Sequence, residues 1–352
     1  FDLDFESSLE PSRPDDYWQR FLSFNAGWLF LFLFAPALPA QTGFSQQYII
    51  DENDETLVVH CLHSDTRGFI WAGTRGGLYR FNGRQFVNTL PDSLRGRYSV
   101  TAIASDSSGR LWIGTADGTI AHLHNGQWKV FSPEEGLPRK SISDICFDRQ
   151  ERLWFAAVDE GVYVYAGKRL TNINTDDGLP DNYVYTLQSM PDGQVLAGTD
   201  RGLARIRFGM DGKNIAVFSS REGLPDNIVR TICPSAEPGV YWIGMEDKGV
   251  FRYDAVRNQG AGMQLQKPWS FGRVNDMVAA GNSLWVATEE AGLLEIIPGG
   301  QESLVRPGAS PSNGRTGKLL TDLSGQLWCS VPGRLVRSTI LQLGFLDSIG
   351  HE

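Results

Sequence analysis

Apolar and polar positions alternate in short runs, as in Val100-Thr101-Ala102-Ile103-Ala104 and Ile142-Ser143-Asp144-Ile145-Cys146-Phe147, and Gly, Asp, Asn and Pro punctuate them. A two-residue period broken by turn formers predicts β-strands joined as hairpins. Asp65-Thr66-Arg67-Gly68, Asp106-Ser107-Ser108-Gly109 and Asp322-Leu323-Ser324-Gly325 mark turns that follow such strands.

The pattern recurs about every 42 residues. Each copy has an apolar anchor, at Trp71, Trp112, Trp154, Leu196, Trp242, Trp285 and Trp328, with steps of 41, 42, 42, 46, 43 and 43 residues. The anchor opens a segment such as Trp112-Ile113-Gly114-Thr115, and a second one follows, as in Gly77-Leu78-Tyr79-Arg80, Gly202-Leu203-Ala204-Arg205 and Gly249-Val250-Phe251-Arg252. Three copies share Gly-Leu-Pro, at 136–138, 178–180 and 223–225. With a last strand such as Gln127-Trp128-Lys129-Val130-Phe131, each unit holds four strands. Four-stranded units of this length, repeated seven times, predict an all-β fold: a seven-bladed β-propeller of four-stranded antiparallel blades over residues 44–338. One small sheet cannot bury both faces, whereas stacking around an axis lets the anchors fill the gaps between blades. The seventh unit has no clear fourth strand, and the run Gln46-Gln47-Tyr48-Ile49-Ile50 stands unassigned ahead of the first. That N-terminal run is expected to pair as the outer strand of the last blade and close the ring.

Trp-Ile-Gly-Thr followed by Gly-Leu-x-Arg, with Gly-Leu-Pro-x-Asn leading into the next strand, resembles the two-component regulator propeller repeat, and the resemblance covers all seven units. It implies a periplasmic or extracytoplasmic sensor region of a sensor histidine kinase or hybrid two-component regulator of the Bacteroidetes kind. Such a region is non-catalytic, takes a small-molecule or oligosaccharide ligand and works as a homodimer. No membrane span, phosphoacceptor-histidine segment or Gly-rich ATP-binding box follows Arg337, so residues 339–352 are read as a truncated downstream segment. Any membrane link and kinase activity would lie in missing downstream parts. The repeats also look broadly similar to those of the streptogramin lyases, so a propeller lyase or hydrolase is the alternative. A secreted scaffold with no small ligand is a third reading.

Composition narrows the partners. Hydrophobic residues make up 41% and charged residues 21%, a globular balance that excludes a mainly disordered chain. The net charge of −9 comes without a basic stripe, so the electrostatic footprint of a nucleic-acid binder is missing. Cys61, Cys146, Cys233 and Cys329 stand apart, which argues against a zinc site or a dense disulfide framework and for packing as small apolar residues. Near the N-terminus, Gly27-Trp28-Leu29-Phe30-Leu31-Phe32-Leu33-Phe34 runs into Ala35-Pro36-Ala37-Leu38-Pro39-Ala40, the outline of a secretory signal peptide over 26–40. The acidic residues 1–25 do not suit a signal's positive start and are expected to be disordered upstream read-through.

No cofactor or metal is expected. His122 and His124 share a strand face, but no partner ligand is recognisable beside them, and no nucleophile elbow is present. Ser105-Asp106-Ser107-Ser108-Gly109 resembles a sialidase-type aspartate box with altered spacing. A feature repeated around a ring is structural, so these aspartates are expected to bond their own turns. A binding site should instead lie where loops enter the innermost strands and depart from the repeat. The candidates there are Arg97 and Tyr98, Lys140, Asn182 and Tyr183, Asn227, and Trp269, Phe271 and Arg273. Aromatic faces beside hydrogen-bonding groups suit sugar rings. Asn182 and Asn227 also fit as turn formers, and Trp269 as packing under its longer loop.

Overall fold

The computed structural model describes residues 45–91, 99–131, 136–167, 169–209, 212–257, 259–262, 272–298, 304–307 and 316–339. Their strands make seven four-stranded antiparallel sheets. Blades 1 to 6 are meanders of consecutive strands, spanning 59–88, 100–131, 142–173, 184–218, 229–262 and 274–307. Blade 7 combines Leu319–Thr321, Gln326–Val331 and Arg334–Thr339 with Ser45–Ile49, which pairs on the outside with Gln46 opposite Arg337 and Tyr48 opposite Leu335. The expected seven-bladed ring and its closing strand are both present. First strands of successive blades adjoin all the way round, blade 7 against blade 1 included. No helix among the described residues is long and apolar enough to cross a membrane.

The core is divided into seven clusters, one at each interface between blades, and each holds one anchor. Trp154, fully buried, meets Val184, Leu187 and Ile206 of blade 4, and Trp328 meets Ile70, Tyr79 and Phe81 of blade 1. Every residue of the second strand in blades 1 to 4 is buried, because both of its faces are covered by neighbouring blades. The repeat's glycine has a steric reason. A Cβ on Gly114 would lie 2.5 Å from Ile142 Cγ2, and one on Gly198 would lie 2.6 Å from Val229 Cγ1. The first residue of the next blade occupies that space. Leu179 and Leu224 of the Gly-Leu-Pro segments are buried plugs in the same interfaces.

The repeated aspartates hold their own turns, as expected, and reach one group further. Asp106 Oδ1 accepts from the backbone N–H of Ser108 and Arg110, both at 3.0 Å, while Oδ2 accepts from the Trp112 indole at 2.8 Å. Blades 1, 3 and 7 repeat the indole bond through Asp65, Asp148 and Asp322. Blade 4 loses both partners together, with Met190 and Leu196 in their places, whereas Trp285 keeps a buried indole N–H that has no partner among the described residues. In a meander these aspartate turns and the last hairpin share one end of each blade. The second hairpin turn and the loop into the next blade share the other, where the described candidates Lys140, Asn182, Tyr183, Asn227 and Arg273 lie.

Candidate functional site: the polar mouth of blades 4 to 6

In blades 1 to 6 the first strand carries a β-bulge at its second residue: His60, Thr101, Ser143, Tyr185, Arg230 and Asn275. A bulge leaves one residue out of the ladder and re-aims its side chain. In blades 2 to 6 the residue that opens the second hairpin turn lies close to the bulge, because its N–H bonds the residue just before the strand. Asp200 N donates to Tyr183 O at 3.3 Å, Glu246 N to Ile228 O at 3.1 Å and Glu289 N to Arg273 O at 2.9 Å.

The chemistry of these paired positions differs around the ring. In blades 2 and 3 the turn residues are Ala116 and Val158, and the hydroxyls of Thr101 and Ser143 are spent on carbonyls, at 3.2 Å to Gly114 O and 2.5 Å to Val184 O. In blades 4, 5 and 6 an acid faces a donor. Tyr185 Oη donates to Asp200 Oδ1 at 2.6 Å, Arg230 Nε to Glu246 Oε2, and Asn275 Nδ2 to Glu289 Oε2 at 3.1 Å. Cross-links join the blades: the Arg230 guanidinium lies 4.2 Å from the Tyr185 ring centroid, and Arg273 Nε donates to Glu246 Oε1 at 2.9 Å. Asp200, Tyr185, Arg230, Glu246 and Arg273 thus form one chain across three blades.

Burial pushes the Tyr185 phenol up to about 12, and the bond to Asp200 adds to this. Burial also pushes Glu246 upward, but hydrogen bonds and charge from Arg230 and Arg273 outweigh it, so its carboxyl lies below the usual range. The mouth is therefore charged at neutral pH, with Arg273 41% exposed and Arg230 22%. Just inside it, at the third position of the first strand, Asp144 and Asp276 each staple two blades. Asp144 Oδ2 accepts from Leu187 N at 2.7 Å and Asp276 Oδ2 from Leu319 N at 3.0 Å. Burial pushes Asp144 up to about 6, against those backbone bonds and the charge of Lys318.

The sequence candidates fall into three groups. Arg97, Tyr98, Trp269 and Phe271 lie outside the described residues. Asn182 and Asn227 hold their own loops, with Oδ1 accepting from Thr175 N at 3.0 Å and Ser220 N at 2.9 Å, the turn-forming role. Tyr183 is 41% exposed beside the mouth, Lys140 is exposed on the loop into blade 3, and Arg273 alone joins the charged chain. Tyr185, Asp200, Arg230, Glu246 and Asn275 were not among the candidates. Reading the second strand position down the repeat would have found the three on the bulges, since it turns to Tyr, Arg and Asn in consecutive blades.

The other chemistry-bearing side chains are dispersed. His122 lies against Trp112, ring centroids 4.6 Å apart, and burial lowers its pKa. Burial pushes the Cys61, Cys233 and Cys329 thiols up to about 12. Among the described residues no three His, Cys, Asp or Glu side chains gather as a metal site.

Residues 93–117, which include the strands Val100–Ser105 and Leu111–Thr115 of blade 2, match the family model for the two-component regulator propeller. The match covers one copy of the repeat. A second model, for a Rhodobacterales glycosyltransferase domain, matches residues 1–49, of which the described part is the strand that closes blade 7. No curated protein matches the chain. Among solved structures, this propeller is similar to an extracellular domain named for the one-component system BT4673 of B. thetaiotaomicron, at 20% identity and a TM-score of 0.69, covering 85% of this chain and 40% of that one. The domain named for the hybrid two-component system BT3049 of the same organism gives 20% and 0.66, covering 84% and 42%. Virginiamycin B lyase from Staphylococcus aureus gives 14% and 0.63, covering 85% and 99%. The chain spans about two-fifths of the B. thetaiotaomicron domains. Identities this low carry the fold alone.

Proposed function

We propose that this propeller is the extracytoplasmic ligand-sensing part of a two-component signalling protein, non-catalytic in itself, and that its ligand is a polar molecule of the carbohydrate class seated on the mouth of blades 4 to 6. The observation that carries the reading is the charged chain from Asp200 to Arg273, which breaks the ring's symmetry in three consecutive blades. Catalysis and recognition need local asymmetry, whereas ring stability does not. Carboxylates and guanidiniums side by side supply acceptors and donors for sugar hydroxyls, and Tyr183 supplies an aromatic face at the rim. The repeat match and the likeness to the extracellular domains of the two B. thetaiotaomicron systems support a sensor. A ligand gripping three blades at once would change how two propellers meet, and a parent protein would pass that change across the membrane.

The test is calorimetry of the full chain against an oligosaccharide panel, with Arg230→Ala and Tyr183→Ala beside the unaltered protein. A saturable heat that weakens by about tenfold or more in Arg230→Ala is expected, since a charge-assisted hydrogen bond is at stake. No heat with any sugar, or the same affinity in both variants, overturns the reading. Turnover of the bound sugar would replace it with the lyase or hydrolase alternative.

A further inference from the structure

The longest step in the repeat, 46 residues between Leu196 and Trp242, has a structural product. The last two strands of blade 4, Gly202–Gly209 and Gly212–Phe218, have eight and seven residues, against six and five for their counterparts in blade 3. Their hairpin therefore projects beyond the aspartate-turn end of the blade and stands as a wall beside blade 3. A groove of about 810 Å³ lies between them, on the opposite end of the blades from the mouth.

The wall is fixed to blade 3 from both sides. Arg152, itself paired with the buried carboxylate of Asp148, donates from Nη1 to Phe208 O at 2.7 Å, and its guanidinium lies 5.3 Å from the Phe208 ring centroid. Lys213 Nζ bonds Asn172 O at 2.9 Å and Asp177 Oδ1 at 2.7 Å. At the base, Gln150 packs so closely on Gly193 that a Cβ there would meet its amide at 2.9 Å, and the φ of +83° is one that glycine tolerates. This is a preformed cleft within the size range of small-molecule sites.

Its charge runs against that of the chain. The protein carries −9 overall, yet Arg152, Arg169, Arg207 and Lys213 line the groove with Asp192 as the one acid among the lining residues. Asp192 is occupied by the Gln194 backbone and side-chain amides, at 3.0 and 2.7 Å. Arg152 and Lys213 have their counter-ions. Arg169, which opens the last strand of blade 3, is exposed and has no ion pair among the described residues, and neither has Arg207. By alternation Arg169 shares a face with Thr171, so guanidinium and hydroxyl stand on one wall.

We propose that the groove between blades 3 and 4 is a second binding site, taking an elongated small anion that carries carboxylate or phosphate groups, with Arg169 as its principal anchor. A guanidinium offers forked donors that match either group, and a fixed backbone wall limits the occupant's width. The unpaired charges of Arg169 and Arg207, in a chain of net charge −9, favour an anion over a neutral ligand of equal size.

Calorimetry of the full chain at low ionic strength, with citrate and with inorganic pyrophosphate as probes, tests it. A saturable heat with one or both is expected, falling by about tenfold or more in Arg169→Ala, recovering in part in Arg169→Lys, and weakening as salt is raised. The stronger probe identifies carboxylate or phosphate as the group recognised. Arg273→Ala should leave this binding intact, so failure of the mouth and failure of the groove are separable. No heat with either probe, or equal affinity in Arg169→Ala, overturns the proposal.

Discussion

The carboxylate of Asp148 accepts the indole N–H of Trp154 at 2.6 Å, and both side chains are wholly buried at the interface of blades 3 and 4. The same carboxylate receives the backbone N–H groups of Gln150 and Arg152, at 2.9 and 3.0 Å, and the Arg152 guanidinium. One side chain thus ties a turn, a core anchor and the wall of the blade 4 hairpin. Trp154→Phe should destabilise by about 1–3 kcal/mol beyond its packing loss, because a hydrogen bond to a buried carboxylate is lost, although the Arg152 guanidinium still donates to the same oxygen. Trp285→Phe should lack that component, since its indole N–H has no partner among the described residues. Urea denaturation of the two variants checks the contrast, and equal losses would contradict it.

Substituting the repeat's glycine tests the stacking of blades. In Gly114→Val the first added carbon alone would overlap Ile142, so blades 2 and 3 must part. A loss of about 1–3 kcal/mol or more follows, the usual cost of overpacking a filled core. Gly83→Ala is the control: a Cβ there meets nothing within 4 Å, although its φ of +95° adds local strain. Hydrogen exchange should rise along Ile142–Phe147 in the first variant and not in the second.

The ring was legible in the sequence because its determinants are periodic. Trp112 and Gly114 sit in every unit or in close substitutes, and each performs the same packing task against the next blade. The closing strand was legible for a related reason: an extended run without a unit and a unit without a last strand complete one another. The mouth was not. Alternation assigns Arg230 a face of its strand, but the bulge that re-aims it is a feature of backbone register. Its partner Glu246 lies 16 residues away on a turn, and its neighbour Tyr185 belongs to another blade. Asn182 shows the converse, since an asparagine at a turn has the same signature whether it binds a ligand or its own backbone. The groove was signalled only by the irregular 46-residue step, which carries no chemistry until the hairpin is seen.

Asp144 gives the fold a specific response to pH. Burial raises its pKa from 3.8 to about 6, so the folded chain holds this proton more tightly than the unfolded chain does. Between pH 4 and pH 6 the folded state binds more protons at this site, and its contribution to stability falls as pH rises. The displacement corresponds to about 3 kcal/mol across that window. Asp144→Asn keeps the volume and removes the titration. The denaturant midpoint at pH 7.5, measured relative to that at pH 4.5, should therefore be higher in the variant, with the gain appearing at the higher pH. Glu246 works in the opposite sense, since its lowered pKa gives stability that is present above its unfolded value and lost as pH falls through the folded one.

Ring closure depends on Tyr48 more than on any other side chain of its strand. Its ring stacks on Trp328, centroids 5.5 Å apart, and meets Phe81 edge-on at 4.7 Å, so it joins the closing strand to the cluster between blades 7 and 1. The flanking contacts, Arg337 to Gln46 and Arg334 to Gln47, are exposed and contribute little. Tyr48→Ala should cost about 3–5 kcal/mol, the range for removing a large aromatic from a core, reduced to the extent that the ring is half-buried. Its signature is local. Once Ser45–Ile49 detaches, the outer edge of Arg334–Thr339 is uncovered, and amide exchange there should accelerate while Ile142–Phe147 on the far side keeps its protection. Uniform acceleration round the ring would show that the blades unfold as one unit and that closure is not a separable step.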